Sequence, residues 1–243
     1  MNSVNGNFRL PIIATLVSLT AFVILIGLGV WQLDRAAQKQ QRQQQIEQRK
    51  LQNNYSLANI LALSGDVRDL PVVTSGHFNT RHYFMIDNRM VNGQPGYHVV
   101  AILTTASGNI AVNLGWLAAP VSRDVIPHFN LPSEQQVIEG VIALPSLNPM
   151  IQETEHRAIN WPVRIQQLDL SVIEQLSGIT LLPLVILAKP DPAQPLIRDW
   201  QSVVMPAEKH IAYAIQWFGL AIALLVIFYM AIIRKNREVN DEQ

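Results

Sequence analysis

The chain carries two uncharged apolar stretches, one near each end, and they constrain its architecture more than any other feature. They run from residue 10 to 33 and from 210 to 233, so each has 24 residues. An α-helix rises about 1.5 Å per residue, so each stretch would span roughly 36 Å, more than the ~30 Å hydrocarbon core of a bilayer. The sequence therefore predicts two transmembrane helices with one extramembrane domain between them.

The first apolar stretch also has to be weighed as a cleaved signal peptide. Signal peptides have an apolar region of only about 7–15 residues, followed directly by a small-residue cleavage site. Here the apolar region is longer, and Ala36 and Ala37 come only after Asp34 and Arg35. The stretch is therefore interpreted as an uncleaved anchor.

The two anchors give conflicting signals for orientation. Arg234, Lys235 and Arg237 follow the second anchor and favour a cytoplasmic C-terminus by the positive-inside rule. The first anchor is followed by Arg35 and Lys39, which favours the opposite orientation. Because the rule weakens for long translocated domains, the second anchor is given more weight. Both termini are predicted to be cytoplasmic, with the main domain on the outer side of the membrane.

These arguments divide the chain into six predicted segments. The polar stalk is rich in glutamine and charge, and it is read either as a continuation of the first helix or as a flexible linker. The predicted segments are a cytoplasmic N-terminus (1–9), transmembrane helix 1 (10–33), a polar stalk (34–53), a periplasmic β-rich domain (54–209), transmembrane helix 2 (210–233) and a cytoplasmic tail (234–243).

Composition limits the function classes. The 18 Lys and Arg residues balance 18 Asp and Glu residues, so the totals give no signal for nucleic acid. The chain has no cysteine, which excludes disulfides, thiolate metal sites and cysteine nucleophiles. No phosphate-binding loop, dinucleotide fingerprint, serine-hydrolase elbow or zinc-protease motif is present. The sequence therefore carries no enzyme signature, and an unrelated periplasmic enzyme has no supporting motif.

Short β-rich runs fill the middle of the chain, separated by turn residues. Asn79-Thr80 and Asn92-Gly93 are predicted turns, and Asn-Gly is a strong hairpin signal. One short helix is predicted from a capping box of Ser171 and Glu174, with Gly178 as its stop. The fold class is therefore an α+β domain, with an antiparallel sheet or barrel, between two membrane helices. The predicted strands are 71–76, 82–87, 97–103, 110–116, 136–142, 163–166 and 181–187.

His210 opens the second anchor and is the most informative candidate side chain. Tyr213, Ala214 and Trp217 follow at helical spacing on its face, and Gln216 is nearby. A neutral imidazole can be an axial ligand of haem iron. Histidine, tyrosine and tryptophan also favour the membrane interface in general, so an interfacial belt is the other reading. The remaining histidines, at 77, 82, 98, 128 and 156, are interpreted as surface or hydrogen-bonded residues.

The outer end of the first anchor has a matching set of polar and aromatic residues. Trp31 and Gln32 fall at the depth of the His210 group if the helices form a hairpin. Polar residues inside membranes often pair across helices, and Gln32 and Gln216 are candidates to bond to each other in this way. Gly27 and Gly29 allow close approach, either by a neighbouring helix or by a flat ligand. Together with Trp217, these residues are the predicted intramembrane contact with a partner.

Several blocks in this order resemble the Surfeit locus protein 1 family. Trp31-Gln32-Leu33-Asp34-Arg35 closes the first anchor, and Lys209-His210-Ile211-Ala212-Tyr213-Ala214-Ile215-Gln216-Trp217-Phe218-Gly219 opens the second. Between them lie Asp87-Asn88-Arg89, Gly93 to Val100, Val112-Asn113, Gly115-Trp116, Asn160-Trp161 and Asp169. The likeness extends over nearly the whole chain. One departure is Leu114, which stands where the family usually has an arginine.

The resemblance implies a role in the assembly of haem–copper cytochrome c oxidase rather than catalysis. It implies haem a as a transient ligand held through His210 on the iron. It also implies a bacterial inner (plasma) membrane protein with a periplasmic domain, in agreement with the orientation taken from the second anchor. The expected partners are oxidase subunit I, membrane lipid and, further, haem a synthase; no nucleic acid is expected. The alternative is a scaffold that stabilises an assembly intermediate without binding haem. The expected haem-contacting residues are His210, Tyr213, Trp217, Gln216, Trp31 and Gln32.

Overall fold

The computed structural model describes residues 12–122, 125–153, 160–191, 195–200 and 205–241. The predicted N-terminal segment 1–9, the beginning of the first anchor and His156 lie outside these residues. The chain falls into two compact units, one made of Met1–Gln45 with Ser202–Gln243 and the other of Ile46–Gln201. Two long apolar helices and a sheet-rich domain confirm the predicted fold class, except that the sheet is mixed rather than antiparallel.

The first unit contains helix α1 (Ile12–Lys50) as far as residue 45, together with helix α4 (Ala207–Asp241). Both are long and apolar enough to cross a membrane. Helix α1 continues beyond the apolar stretch, as expected for a helical stalk. Local side-chain bonds support it there, because Gln38 donates to Asp34 at 2.7 Å and accepts from Arg35 at 2.8 Å.

The described residues of the second unit contain the end of α1 and nine further elements. Ile46 anchors the helix end in this unit and is only 1% exposed. The elements are β1 (Tyr55–Ser56), α2 (Leu57–Ala62), β2 (Pro71–Val91), β3 (Gln94–Thr105), β4 (Gly108–Ala118), β5 (Gln136–Ala143), β6 (Val163–Ile165), α3 (Leu170–Ser177) and β7 (Val185–Ala188).

The seven strands form one sheet in the order β1-β2-β3-β4-β7-β5, with β6 beside β2. Strand β5 also pairs with β2, so the pairings of β2, β3, β4, β7 and β5 close a cycle. Strands β1 and β6 run parallel to β2, and β7 runs parallel to β4. The expected antiparallel sheet is thus a mixed one, because connections such as that through α2, which joins β1 to β2, return the chain in the same direction.

Strand β2 is one continuous element of 21 residues. The turn predicted at Asn79-Thr80 was wrong: the chain makes only a register shift between Phe78 and Tyr83. The Asn79 side chain accepts hydrogen bonds from the backbone N–H groups of Arg81 and His82, at 3.1 and 2.9 Å. Such bonds are typical of turns, but here they form within the strand. The predicted turn at Asn92-Gly93 is confirmed and joins β2 to β3.

Alternate residues of β3 supply two separate apolar clusters, as the two faces of a strand require. Val99 and Leu103 belong to one cluster, which also contains Leu57 and Ile60 of α2. Val100 and Ile102 belong to the other, which contains Ile173 of α3 and Val163 of β6. All of these residues are at most 3% exposed. The sheet is therefore covered on both sides at its centre, which fixes its register firmly.

The helix α3 begins two residues earlier than the predicted capping box. Asp169 is the N-cap and its side chain accepts from the N–H of Ser171 at 2.9 Å. Glu174 turns away and accepts from the N–H of Leu181 at 2.6 Å. The predicted stop is confirmed, because Gly178 has a φ of 71° and caps the helix in the left-handed conformation.

Candidate functional site

His210 is a buried polar side chain within the helix pair of the first unit. It is 8% exposed, and its Nδ1 lies 2.8 Å from the Oε1 of Gln32 on the other helix. The sequence placed both residues in the candidate site, but it did not predict this bond. Gln32 bonds to His210 instead of the expected Gln216, and that pairing was wrong. The two anchors are therefore joined by a glutamine–histidine hydrogen bond.

The bond to Gln32 selects one form of the imidazole ring. An amide oxygen can only accept a hydrogen bond, so the Nδ1 of His210 carries the proton. The other ring nitrogen, Nε2, is then left with a lone pair. It is buried and has no hydrogen-bond partner in the described part of the chain. At metal sites, a hydrogen bond from the ring nitrogen that does not bind the metal fixes the tautomer of the histidine.

Gly29 provides the second close contact between the helices. A Cβ built on it would overlap the ring of Phe218. Gly27 has no heavy atom within 4 Å of such a Cβ, and its surroundings are open. The two glycines therefore differ: Gly29 makes room for the neighbouring helix of the same chain, whereas the expected close approach at Gly27 has no partner within this unit.

The other candidate residues lie around this contact with more exposure. Tyr213 and Trp31 are 45% and 49% exposed, Gln216 is exposed, and Trp217 is half-buried. The guanidinium of Arg35 lies over the Trp31 ring, 5.6 Å from its centroid. Of the six expected residues, His210 and Gln32 bond to each other. The rings of Trp31, Tyr213 and Trp217 are exposed or half-buried.

An imidazole with a free Nε2 lone pair has the donor chemistry that an axial ligand of haem iron needs. The residues therefore fit a single histidine–iron bond. In this conformation the nitrogen is covered by protein. Ligation consequently requires the His210 side chain or the two helices to shift enough to uncover it.

A second polar cluster, which sequence reasoning missed, lies at the end of the sheet in the other unit. Arg89 on β2 faces Gly96 on β3, and His98 on β3 faces Trp116 on β4. The indole Nε1 of Trp116 donates to the Arg89 carbonyl at 2.8 Å, and its ring lies against Gly96, where a Cβ would overlap it. The only sequence signal for this cluster was that its residues fall in the central family blocks.

His98 is held in one tautomer by Asn113. The Asn113 amide oxygen accepts from the Gly115 N–H at 3.2 Å, so its nitrogen faces and donates to the His98 Nδ1, also at 3.2 Å. Burial, and then the neighbouring Arg89 charge, lower the pKa of His98 from 6.5 to about 4. His98 is therefore neutral at pH 7, with its proton on Nε2.

Leu114, which departs from the family pattern, has its side chain in the apolar cluster that includes Val99 and is 3% exposed. Its carbonyl accepts from the Nε of Arg198 at 2.5 Å. Arg198 also donates to the Lys189 carbonyl at 2.6 Å. The described residues contain no group of three or more histidine, aspartate or glutamate side chains placed to hold a metal ion.

Comparison with known proteins agrees with the resemblance of the sequence blocks. The SURF1 family model matches residues 19–222. A SURF1-like protein from Rickettsia felis (strain ATCC VR-1525 / URRWXCal2) is 26% identical over 232 residues, covering 91% of this chain and 96% of the relative. Both matches take in the Gln32 region, the whole sheet domain and His210. The chain belongs to the SURF1 family, which implies a role as a cytochrome oxidase assembly factor.

Proposed function

We propose that this protein assists the assembly of haem–copper cytochrome c oxidase by holding haem a for insertion into subunit I. The observation that carries the proposal is the state of His210: its Nδ1–H donates to Gln32, and Nε2 has a lone pair without a partner among the described residues. A neutral imidazole of this form is a ligand for iron without any further proton loss.

The cargo would be bound by one iron–nitrogen bond, which suits a site that must release it again. Tyr213, Trp217 and Trp31 have exposed or half-exposed rings near the same helix ends and supply apolar surface for a macrocycle. Because Nε2 is covered, uncovering it would oppose binding and keep the affinity low. A weak site of this kind favours transfer over storage.

The proposal includes an orientation for the protein in the inner membrane. Both termini would be cytoplasmic and residues 46–201 periplasmic, which brings His210 to the periplasmic end of α4. Arg234, Lys235 and Arg237 support this orientation. A reporter enzyme active only in the periplasm, fused after residue 243, should be inactive. Activity of that fusion would place the C-terminus outside and reverse the proposed arrangement.

A second candidate is a scaffold that grips an assembly intermediate without haem. The observation favouring it is the burial of His210, which is 8% exposed and joined to Gln32, because this is also what an interhelical clamp requires. Subunit I would then bind the uncovered aromatic faces of the helices. In that case oxidase assembly would depend on the hydrogen bond from Nδ1 to Gln32 and not on the lone pair of Nε2.

The variant His210→Asn separates the two candidates. The asparagine amide places a donor near the position of Nδ1 and keeps the bond to Gln32, but it has no equivalent of Nε2. If His210 holds haem a, oxidase yield in cells carrying this variant should fall to the level of a deletion strain. If it is a clamp, yield should be preserved, and His210→Leu, which removes both nitrogens, should lower it. His128→Asn, in the other unit, is the matched control.

A further inference from the structure

Arg89 is a half-buried arginine with no compensating charge in the described part of the chain. Its Nε is fully covered and has no hydrogen-bond partner there. Burial alone lowers the pKa of its guanidinium, with no nearby carboxylate acting in the opposite direction. A buried charge without a partner destabilises a fold unless something else compensates it. An anion bound at Arg89 would supply the missing compensating charge.

The neighbouring acidic group does not meet that need. Asp87, two residues earlier on β2, is buried, with its Oδ2 4.0 Å from the Nε of Arg164. Its Oδ1 accepts the N–H of Asn88 at 2.7 Å. The Asp87 carboxylate thus has partners of its own, and it is not among the groups that shift the pKa of Arg89.

His98 adds a second donor beside Arg89. Its Nδ1 accepts from Asn113, so its Nε2 carries a proton, and this N–H has no partner among the residues that the structure describes. Arg89 faces Gly96, which lies two residues from His98 on the same side of β3. The Trp116 ring covers Gly96, and the Arg89 charge is near enough to His98 to lower its pKa. The guanidinium and the imidazole N–H therefore lie close together at this end of the sheet, beside the Trp116 ring.

The two tryptophan N–H donors near this cluster already bond to backbone carbonyls. The indole N–H of Trp116 bonds to the Arg89 carbonyl, and that of Trp200 bonds to the Ala188 carbonyl, both at 2.8 Å. The Trp200 and His98 rings meet edge to face, with centroids 5.5 Å apart. The two indoles therefore act as apolar walls, and Arg89 and His98 are the groups with capacity to bind.

We propose that Arg89 and His98 form a binding site for the carboxylate of a small organic acid. The guanidinium edge pairs with both oxygens of a carboxylate in a planar, two-bond arrangement. The site has one positive charge, which balances one carboxylate rather than a phosphate dianion. Trp116 and Trp200 contact the hydrocarbon part of the ligand. This site lies in the sheet domain and is separate from the proposed role of His210.

The proposal is tested on the full-length protein in detergent by thermal melting. Sodium propionate is compared with sodium chloride and sodium phosphate at matched ionic strength. A ligand that binds only the folded state raises the midpoint. Propionate should raise it by about 2–4 °C over chloride, phosphate should not match this rise, and Arg89→Gln should abolish the propionate effect. Arg68→Gln, which removes one exposed arginine in the same unit, should retain it.

A second measurement covers the case in which Arg89→Gln does not fold. In the unaltered protein labelled with ¹⁵N-arginine, the Nε–H signal that is lost in Arg89→Lys identifies Arg89. Propionate should shift this signal in a saturable way and leave that of Arg68 in place. A midpoint that responds equally to chloride and propionate, an Arg89→Gln variant that still responds, a phosphate effect as large as that of propionate, or an unmoved Arg89 signal overturns the proposal.

Discussion

The Oε1 atom of Gln32 lies 2.8 Å from the Nδ1 of His210, although the two residues are 178 positions apart in the chain. This bond links the two apolar helices and determines which imidazole nitrogen keeps its lone pair. It gives the second family block, around His210, a direct structural dependence on the first, around Gln32. The functional predictions for the helix pair follow from it.

Replacing Gln32 with leucine should weaken haem a retention. The change removes the acceptor for the His210 Nδ1 proton, so the ring is free to take the other tautomer and other orientations. Loss of the hydrogen bond that orients a metal-binding histidine lowers metal affinity by about 10–100-fold. The measurement is haem a per protein after purification from cells that make haem a. Gln41→Leu removes an exposed glutamine of α1 outside the candidate site and should have little effect; equal losses in both variants would mean that the bond is irrelevant.

Gly29→Leu should separate the helices, and Gly27→Leu should not. A side chain at position 29 overlaps the Phe218 ring, whereas position 27 is open. Overpacking of this kind destabilises by about 1–3 kcal/mol. Thermal melting of the purified variants and the oxidase yield of the cells are the two measurements.

The pair Gly29→Leu and Phe218→Ala supplies the control for that prediction. Removing the Phe218 ring makes room for the leucine, so the double variant should recover part of the lost melting temperature. If the double variant is as unstable as the sum of the single changes, the contact between positions 29 and 218 does not explain the loss.

His98 should make the stability of the protein depend on pH. Its folded pKa of about 4 is below the ordinary 6.5, so between these values the unfolded chain binds a proton that the folded protein does not. Stability therefore falls as pH decreases from 7 to about 4, by about 2–4 kcal/mol, and this contribution then levels off. His98→Asn, which keeps an acceptor for Asn113, should flatten this part of the urea-unfolding profile. An unchanged profile would mean that His98 titrates normally.

The N-terminal cap of α3 gives a prediction about the stability of the protein. Asp169→Ala should destabilise the protein by about 1 kcal/mol, because it leaves helix N–H groups without their cap. Ser171→Ala should have a smaller effect, since the backbone N–H of residue 171 still donates to Asp169. The reverse order in urea denaturation would indicate that the capping box predicted from Ser171 and Glu174 forms in solution.

Sequence predicted the parts of the fold that depend on strong local signals. The long uncharged stretches predicted two helices of membrane-spanning length, Asn92-Gly93 predicted a hairpin turn, and Gly178 predicted the end of α3, both at positive φ. The turn expected at Asn79 failed because the same side-chain bonds can form within a bulged strand. Parallel pairing of β7 with β4 depends on contacts between distant segments, and no local pattern encodes it.

The candidate site was predicted in part for the same reason. His210 and Gln32 stood out as polar residues in apolar helices, but glutamines at both 32 and 216 made the wrong pairing equally reasonable. The Arg89–His98 cluster depends on strand register, and His98 looked like any isolated histidine. Burial and the absence of a charge partner for Arg89 among the described residues become visible only when the sheet is assembled.

The account depends most on the lone pair of the His210 Nε2 as the point of contact with haem a. The direct test is the visible absorption spectrum of His210→Asn and of the unaltered protein, both purified in detergent from cells that make haem a. We predict a haem a spectrum with the unaltered protein and its loss in His210→Asn, with helix content equal by circular dichroism. A haem a spectrum of the same intensity and band positions in the variant would contradict the account.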